Sequence, residues 1–359
     1  METQLYDFVV YFGYLRLMLG TLRFLLALMV VFSHLTGSAY VAHFGFYAVR
    51  GFFVLSGFLI TTGLNEFYEF DAKRFWANRL LRLLPAYYVT CILTLLIIGR
   101  FPNEAAAYLP YWKSGNSEYG TVFNLLVLPL EYPDMHFRLV PPYWSVAVEL
   151  QMYALLFIAA ARSEKLAIAT LWFGVIYHLA CMYGELGFGA RYTAAPSAAL
   201  SFAAGAVTYF WTKKGALDVS PRCAALAFIL WLANVVAAKS VLSDEYACGP
   251  GYYFATFLFV FVVAGLAKVQ WRPLMAQVDR ALGEIAYPTF LLQWLAGFLT
   301  ALAISPGHWR GWMLTLATIP LLLCMAAALA LLNSKFIEPL RRILRDKNSS
   351  RMLPQVQRA

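Results

Sequence analysis

The sequence predicts an all-α polytopic membrane protein with about ten transmembrane helices and both termini in the cytoplasm. Three observations predict it. First, 61% of the 359 residues are hydrophobic and only 13% are charged, about half the charged fraction of a soluble domain. Lipid has to act as solvent for much of that apolar surface. Second, apolar stretches of about 20 residues recur, the length that crosses about 30 Å of hydrocarbon. They are apolar all round rather than alternating, which selects helices over a β-barrel. Third, Lys and Arg are biased to every second loop, the pattern that sets orientation in a membrane.

Taken in order, the spans fall at 21–41, 44–64, 83–100, 143–162, 164–184, 194–212, 222–240, 251–268, 282–303 and 311–333. Residues 1–20 are aromatic and partly amphipathic and are expected to lie on the membrane surface. The first apolar run lacks a small-residue cleavage site and reads as a retained span. Residues 21–335 form one transmembrane domain, and 336–359 a basic cytoplasmic tail. Lys73, Arg74, Arg79 and Arg82 follow the second span, Arg162 and Lys165 the fourth, Lys213, Lys214 and Arg222 the sixth, and Lys268, Arg272 and Arg280 the eighth. The intervening loops hold only Arg100, Lys113, Arg138, Arg191, Lys239 and Arg310. An even number of spans keeps that alternation intact. The longest outer loop, from about Arg100 to Pro142, is rich in aromatics and carries Glu104, Glu118, Glu131 and Asp134. Its apolar piece from Val122 to Leu130 is too short to cross.

The formal net charge of +9 reports a basic cytoplasmic face facing membrane lipid, not a nucleic-acid partner. Five scattered cysteines have neither metal-type nor disulfide-framework spacing. No internal repeat is visible, which counts against a repeat-built transporter.

Ionisable groups inside spans are functional candidates by default. Arg23 and His34 in the first span are eleven residues apart, which puts them on one stripe about 16 Å apart along the axis. With the N-terminus inside, Arg23 lies at the cytoplasmic edge and His34 in the outer half. Glu149 in the fourth span and Arg50 in the second reach a similar depth by the same arithmetic. A shared polar cavity is the economical reading. Each residue also has a plainer one: a packing histidine, a snorkelling Arg23, Arg79 and Arg82 as positive-inside anchors, Ser56-Gly57 as a small-residue helix contact.

Together these residues resemble the acyltransferase-3 family of bacterial integral-membrane O-acyltransferases. The matching segments are LRFLLALMVVFSH (Leu22–His34, holding the Arg23/His34 pair), GFFVLSGFLIT (Gly51–Thr61), RFWANRLLRLLPAYY (Arg74–Tyr88), YWSVAVELQMY (Tyr143–Tyr153), LGEIAYPTFLLQW (Leu282–Trp294) and FIEPLRR (Phe336–Arg342). They occur in family order and cover most of the chain. Two positions depart from the pattern: Gln293 stands where the family often has His, so no role is assigned to it, and Gly20-Thr21-Leu22 replaces the usual Asp-Gly before the first Arg.

The resemblance implies a bacterial inner-membrane enzyme that moves an acetyl or short acyl group from cytoplasmic acetyl-CoA to a hydroxyl of an extracytoplasmic glycan or lipid-linked saccharide. On that reading Arg23, Arg79 and Arg82, with Ser56 and Gly57, hold the donor, since guanidinium groups suit phosphates. His34 is the general base and Glu149 orients its imidazole. Arg50, Ser56, Tyr153 or a backbone amide faces the oxyanion, and Trp144 stacks on sugar or anchors at the interface. No metal or permanently bound cofactor is expected. A covalent acyl-His intermediate and direct transfer both stay open. The alternative is a carrier or flippase for a small solute or lipid-linked sugar.

Overall fold

A computed structural model describes residues 19–113, 120–127, 137–269, 272–304, 307 and 309–345. The described residues are helical, with no strand among them. The expected lead-in up to residue 18, the tail beyond 345, and Glu118, Glu131 and Asp134 of the outer loop lie outside them.

Ten principal helices fall at the ten expected stretches: α1 Leu19–Leu35, α2 Phe44–Gly63, α3 Ala72–Arg100, α4 Trp144–Leu155, α5 Glu164–Tyr183, α6 Ala195–Lys213, α7 Pro221–Ala237, α8 Pro250–Leu266, α9 Pro273–Ile304 and α10 Trp312–Leu332. Six are long and apolar enough to cross a membrane: α2, α3, α4, α5, α9 and α10, counted with their flanking turns. Helices α1, α7 and α8 are apolar but shorter. Helix α3 starts eleven residues before the expected span because Asp71 caps it, accepting from Arg74 N at 3.0 Å; a capped helix continues through a charged turn that no lipid-facing segment would carry.

Bare backbone sets the closest helix crossings. A Cβ on Gly57 of α2 would lie 2.1 Å from the Phe202 carbonyl oxygen, and one on Gly205 of α6 would lie 2.1 Å from that of Val54. A Cβ on Gly20 of α1 would lie 2.1 Å from the Asp279 carbonyl oxygen, and Gly283 of α9 faces Gly20 in turn. Lipid tails are as apolar as leucine, so helices in a membrane associate through such close packing. Helices α1, α2, α3, α4 and α9 line one interior space.

Candidate functional site

That space is a cavity of about 90 Å³. Each surrounding helix presents residues three or four apart, which share a helix face: Ser56 and Ile60 from α2, Arg79 and Arg82 from α3, Ser145, Glu149 and Tyr153 from α4, Gly283 and Tyr287 from α9, with Arg23 from α1. The Glu149 carboxylate accepts from Ser56 Oγ at 2.7 Å and from the Tyr153 hydroxyl. Arg79 lies 5.7 Å from the ring centroids of Tyr68 and Phe75, and its buried Nε has no hydrogen-bond partner among the described residues. Three guanidinium groups against one carboxylate leave the cavity positive, a composition suited to phosphate.

The first turn of α1 is fixed by a residue that sequence reading did not single out. Buried Asp279 of α9 accepts from Thr21 N at 2.7 Å, Thr21 Oγ1 at 2.6 Å and Gly20 N at 3.2 Å. A carboxylate on the first free N–H groups of a helix is a favourable cap. It holds the turn from which Arg23 enters the cavity.

His34 lies in a second, adjoining cavity of about 20 Å³, with Val30, Gly45, Pro142, Trp144 and Tyr192. Val49, Ser145 and Phe290 line both spaces. Gln293 is fully buried, and its Nε2 donates to the Phe290 carbonyl at 2.8 Å. That bond turns the amide oxygen toward the imidazole. His34 Nδ1 therefore carries a proton and donates to Gln293 Oε1 at 2.9 Å, so in the neutral ring the lone pair is on Nε2. Trp294 stacks on the ring at 5.2 Å between centroids. Arg310 lies over that indole, 4.7 Å from its centroid, and over the Tyr108 ring at 4.4 Å. Outside the spans, burial lowers the pKa of Arg310 from the ordinary guanidinium value.

The structure thus places Arg23, Ser56, Arg79, Arg82, Glu149 and Tyr153 in one cavity and His34 and Trp144 in its neighbour. Three expectations need correction. The partner of His34 is Gln293, not Glu149, whose carboxylate is engaged by Ser56 and Tyr153. Gly57 lines neither cavity, because it is the contact point of α2 with α6. Arg50 lines neither, because it points the other way: Nη1 donates to the Ser197 carbonyl at 2.9 Å, Nη2 lies 2.9 Å from His178 Nε2, and the guanidinium covers the Tyr252 ring at 4.6 Å. His178 of α5 was itself findable, as an ionisable residue within a span.

Ser56 and Tyr153 both direct their hydroxyl hydrogens at Glu149, so neither is free to face an oxyanion in this arrangement. The cavities offer three guanidinium groups at one end, a composition suited to an anionic ligand, and the His34 imidazole at the other. The model of a family described as an acyltransferase domain matches residues 19–333. No curated protein and no solved structure matches the chain.

Proposed function

This chain belongs to the acyltransferase-3 family, and we propose that it moves an acetyl or other short acyl group from cytoplasmic acyl-CoA to a hydroxyl of an extracytoplasmic glycan, in a bacterial inner membrane. The observation that carries this reading is the pair of adjoining cavities, with Arg23, Arg79 and Arg82 in one and His34 in the other. The eleven-residue separation of Arg23 and His34 along α1 corresponds to about 16 Å, comparable with the reach of a pantetheine arm. The arginines hold the donor phosphates, and the thioester arrives beside His34.

In the transfer step, His34 Nε2 takes the proton of the acceptor hydroxyl while that oxygen attacks the thioester carbonyl. The carbon–sulfur bond then breaks, and the imidazolium returns its proton to the leaving CoA thiolate. Gln293 keeps the imidazole in the tautomer this requires. Glu149 belongs to the donor cavity on this reading: it offsets part of the arginine charge and fixes Ser56 and Tyr153.

The test uses purified protein in nanodiscs, radiolabelled acetyl-CoA and a membrane glycolipid extract. Label should pass to a glycan with wild type, and the rate should fall about 10²–10⁴-fold in His34→Ala, the usual loss with a general base. Label held on the protein without acceptor favours an acyl-His intermediate. Absence of CoA release from folded wild type across several acceptors would instead support the carrier reading.

A further inference from the structure

The hydrogen bond from Nδ1 to Gln293 fixes the tautomer of His34 and leaves the tilt of its ring to packing. Trp294, the next residue of α9, supplies that packing: indole and imidazole lie 5.2 Å apart between centroids, 28° from parallel. The indole is held by ring and charge contacts alone, because its buried Nε1 has no hydrogen-bond partner among the described residues. Besides His34, two groups lie against it. Tyr108 meets it at 6.0 Å and 81°, edge to face, and the Arg310 guanidinium lies 4.7 Å from its centroid.

Arg310 is itself fixed from several directions. Its Nη2 donates to the Tyr108 carbonyl at 3.0 Å and its Nη1 to the Trp309 carbonyl, and the guanidinium lies 4.4 Å from the Tyr108 ring. It makes no ion pair with a carboxylate among the described residues. The segment that carries it is tied to the end of α1. Gly311 N donates to the carbonyl of Leu35, the residue after His34, at 3.2 Å, and a Cβ on Gly37 would fall 2.8 Å from Arg310 Cβ. A snorkelling arginine keeps its charged head in water. This one lays its charge on the two rings beside His34, where desolvation strengthens a cation–π contact.

We propose that Arg310 is a positioning residue for His34: it holds the Trp294 indole in place, and the indole sets the plane in which the imidazole presents Nε2 to the acceptor hydroxyl. The proposal rests on the reading of His34 as general base. Arg310 acts through the indole and touches neither donor nor acceptor. Its removal therefore lowers kcat and leaves donor binding at Arg23, Arg79 and Arg82 as it was.

The test measures kcat and the KM for acetyl-CoA from CoA release in nanodiscs, with the glycolipid extract as acceptor, in wild type, Arg310→Gln, Trp294→Leu and the double variant. Arg310→Gln should lower kcat by about 10–100-fold and leave KM within about 2-fold. Arg310→Lys, whose ammonium also binds a ring face, should recover part of that loss. In the Trp294→Leu background, Arg310→Gln should cost less than about 2-fold more, because the ring through which it acts is gone. Independent structural damage would instead give losses that multiply. Multiplying losses, a raised KM at unchanged kcat, or full activity of folded Arg310→Gln overturns the proposal. If Arg310→Gln fails to fold, Arg310→Lys, alone and with Trp294→Leu, is read by the same rule. Active wild type with an indifferent Arg310 overturns this proposal alone, whereas folded wild type that releases no CoA overturns it together with the transferase reading.

Discussion

A neutral amide beside the imidazole proposed as general base does one part of what a carboxylate does. Gln293 orients the ring and fixes its tautomer, but it adds no negative charge to stabilise an imidazolium. Its effect should therefore appear in the rate of the chemical step. Gln293→Leu should lower kcat by about 10–100-fold with little change in the KM for acetyl-CoA, as expected of lost orientation; Gln293→Glu, which keeps an acceptor oxygen, should lose less. Steady-state kinetics on the two variants check this. Arg79 should behave in the opposite way. Arg79→Ala should raise the acetyl-CoA KM by about 10-fold, and Arg79→Lys should restore it only in part, because lysine lacks the planar fork. A membrane anchor would tolerate the lysine fully in the same assay. The contrast also shows what was legible in the sequence. Counting residues gives depth, and by depth it grouped His34, Glu149 and Arg50 in one cavity; the structure puts His34 and Glu149 in adjoining spaces. Counting gives no direction around the helix relative to neighbours, so Arg50, at the right depth, faces His178 and Ser197 instead. Gln293 went unassigned because it departs from the His that the family often has there, and an uncharged side chain within a span carries little of the desolvation signal that would single it out otherwise.

At the scale of helices, the same missing direction explains Ser56 and Gly57. Neighbouring residues on a helix point about 100° apart. Ser56 faces Glu149 in the cavity, and Gly57 meets the α6 backbone at Phe202. One motif thus serves two jobs, one chemical and one of packing. The packing job is testable. Even one methyl on Gly57 would need to displace backbone, since its Cβ would fall 2.1 Å from a carbonyl oxygen. Gly57→Ala should destabilise the protein by about 1–3 kcal/mol, the usual penalty for overpacking, seen as a lower Tm in detergent. Gly187→Ala, where a Cβ meets nothing within 4 Å, is the matched control and should leave Tm nearly unchanged. Helix existence was readable from hydropathy because lipid dictates it. Helix ends were not: α3 and α9 begin well before the expected spans, since backbone hydrogen bonding continues past the point where apolar surface is needed.

At the scale of the whole molecule, the open matter is how many helices cross. Six meet the criteria of length and apolarity, while the alternation of Lys and Arg along the chain calls for ten. Packing sets two of the other four beside long helices. Helix α6 runs beside α2 from Arg50–Ser197 at one end to Glu66–Lys213 at the other, an overlap of sixteen residues or about 24 Å. Helix α1 runs beside α9 in the same sense, from Gly20–Asp279 to His34–Gln293. Helix α7 pairs along α8 in reverse, from Ala224–Gly265 to Asn234–Gly251. Helices α1 and α6 thus run alongside long helices over most of their length, while α7 and α8 accompany each other. The two counts differ in a way labelling can read. If only the six cross, nothing crosses between α5 and α9, so the α5–α6 and α6–α7 connections lie on one side. If ten cross, α6 separates them, with residue 187 outside and residue 216 inside. Gly187→Cys and Ala216→Cys, each exposed and placed in a background without the five native cysteines, should react oppositely with an impermeant maleimide in sealed right-side-out vesicles. Labelling of Gly187→Cys alone would make α6 a crossing helix and exclude the count of six. Equal labelling would leave both connections on one side and α6 uncrossed, against the count of ten that the Lys and Arg alternation calls for.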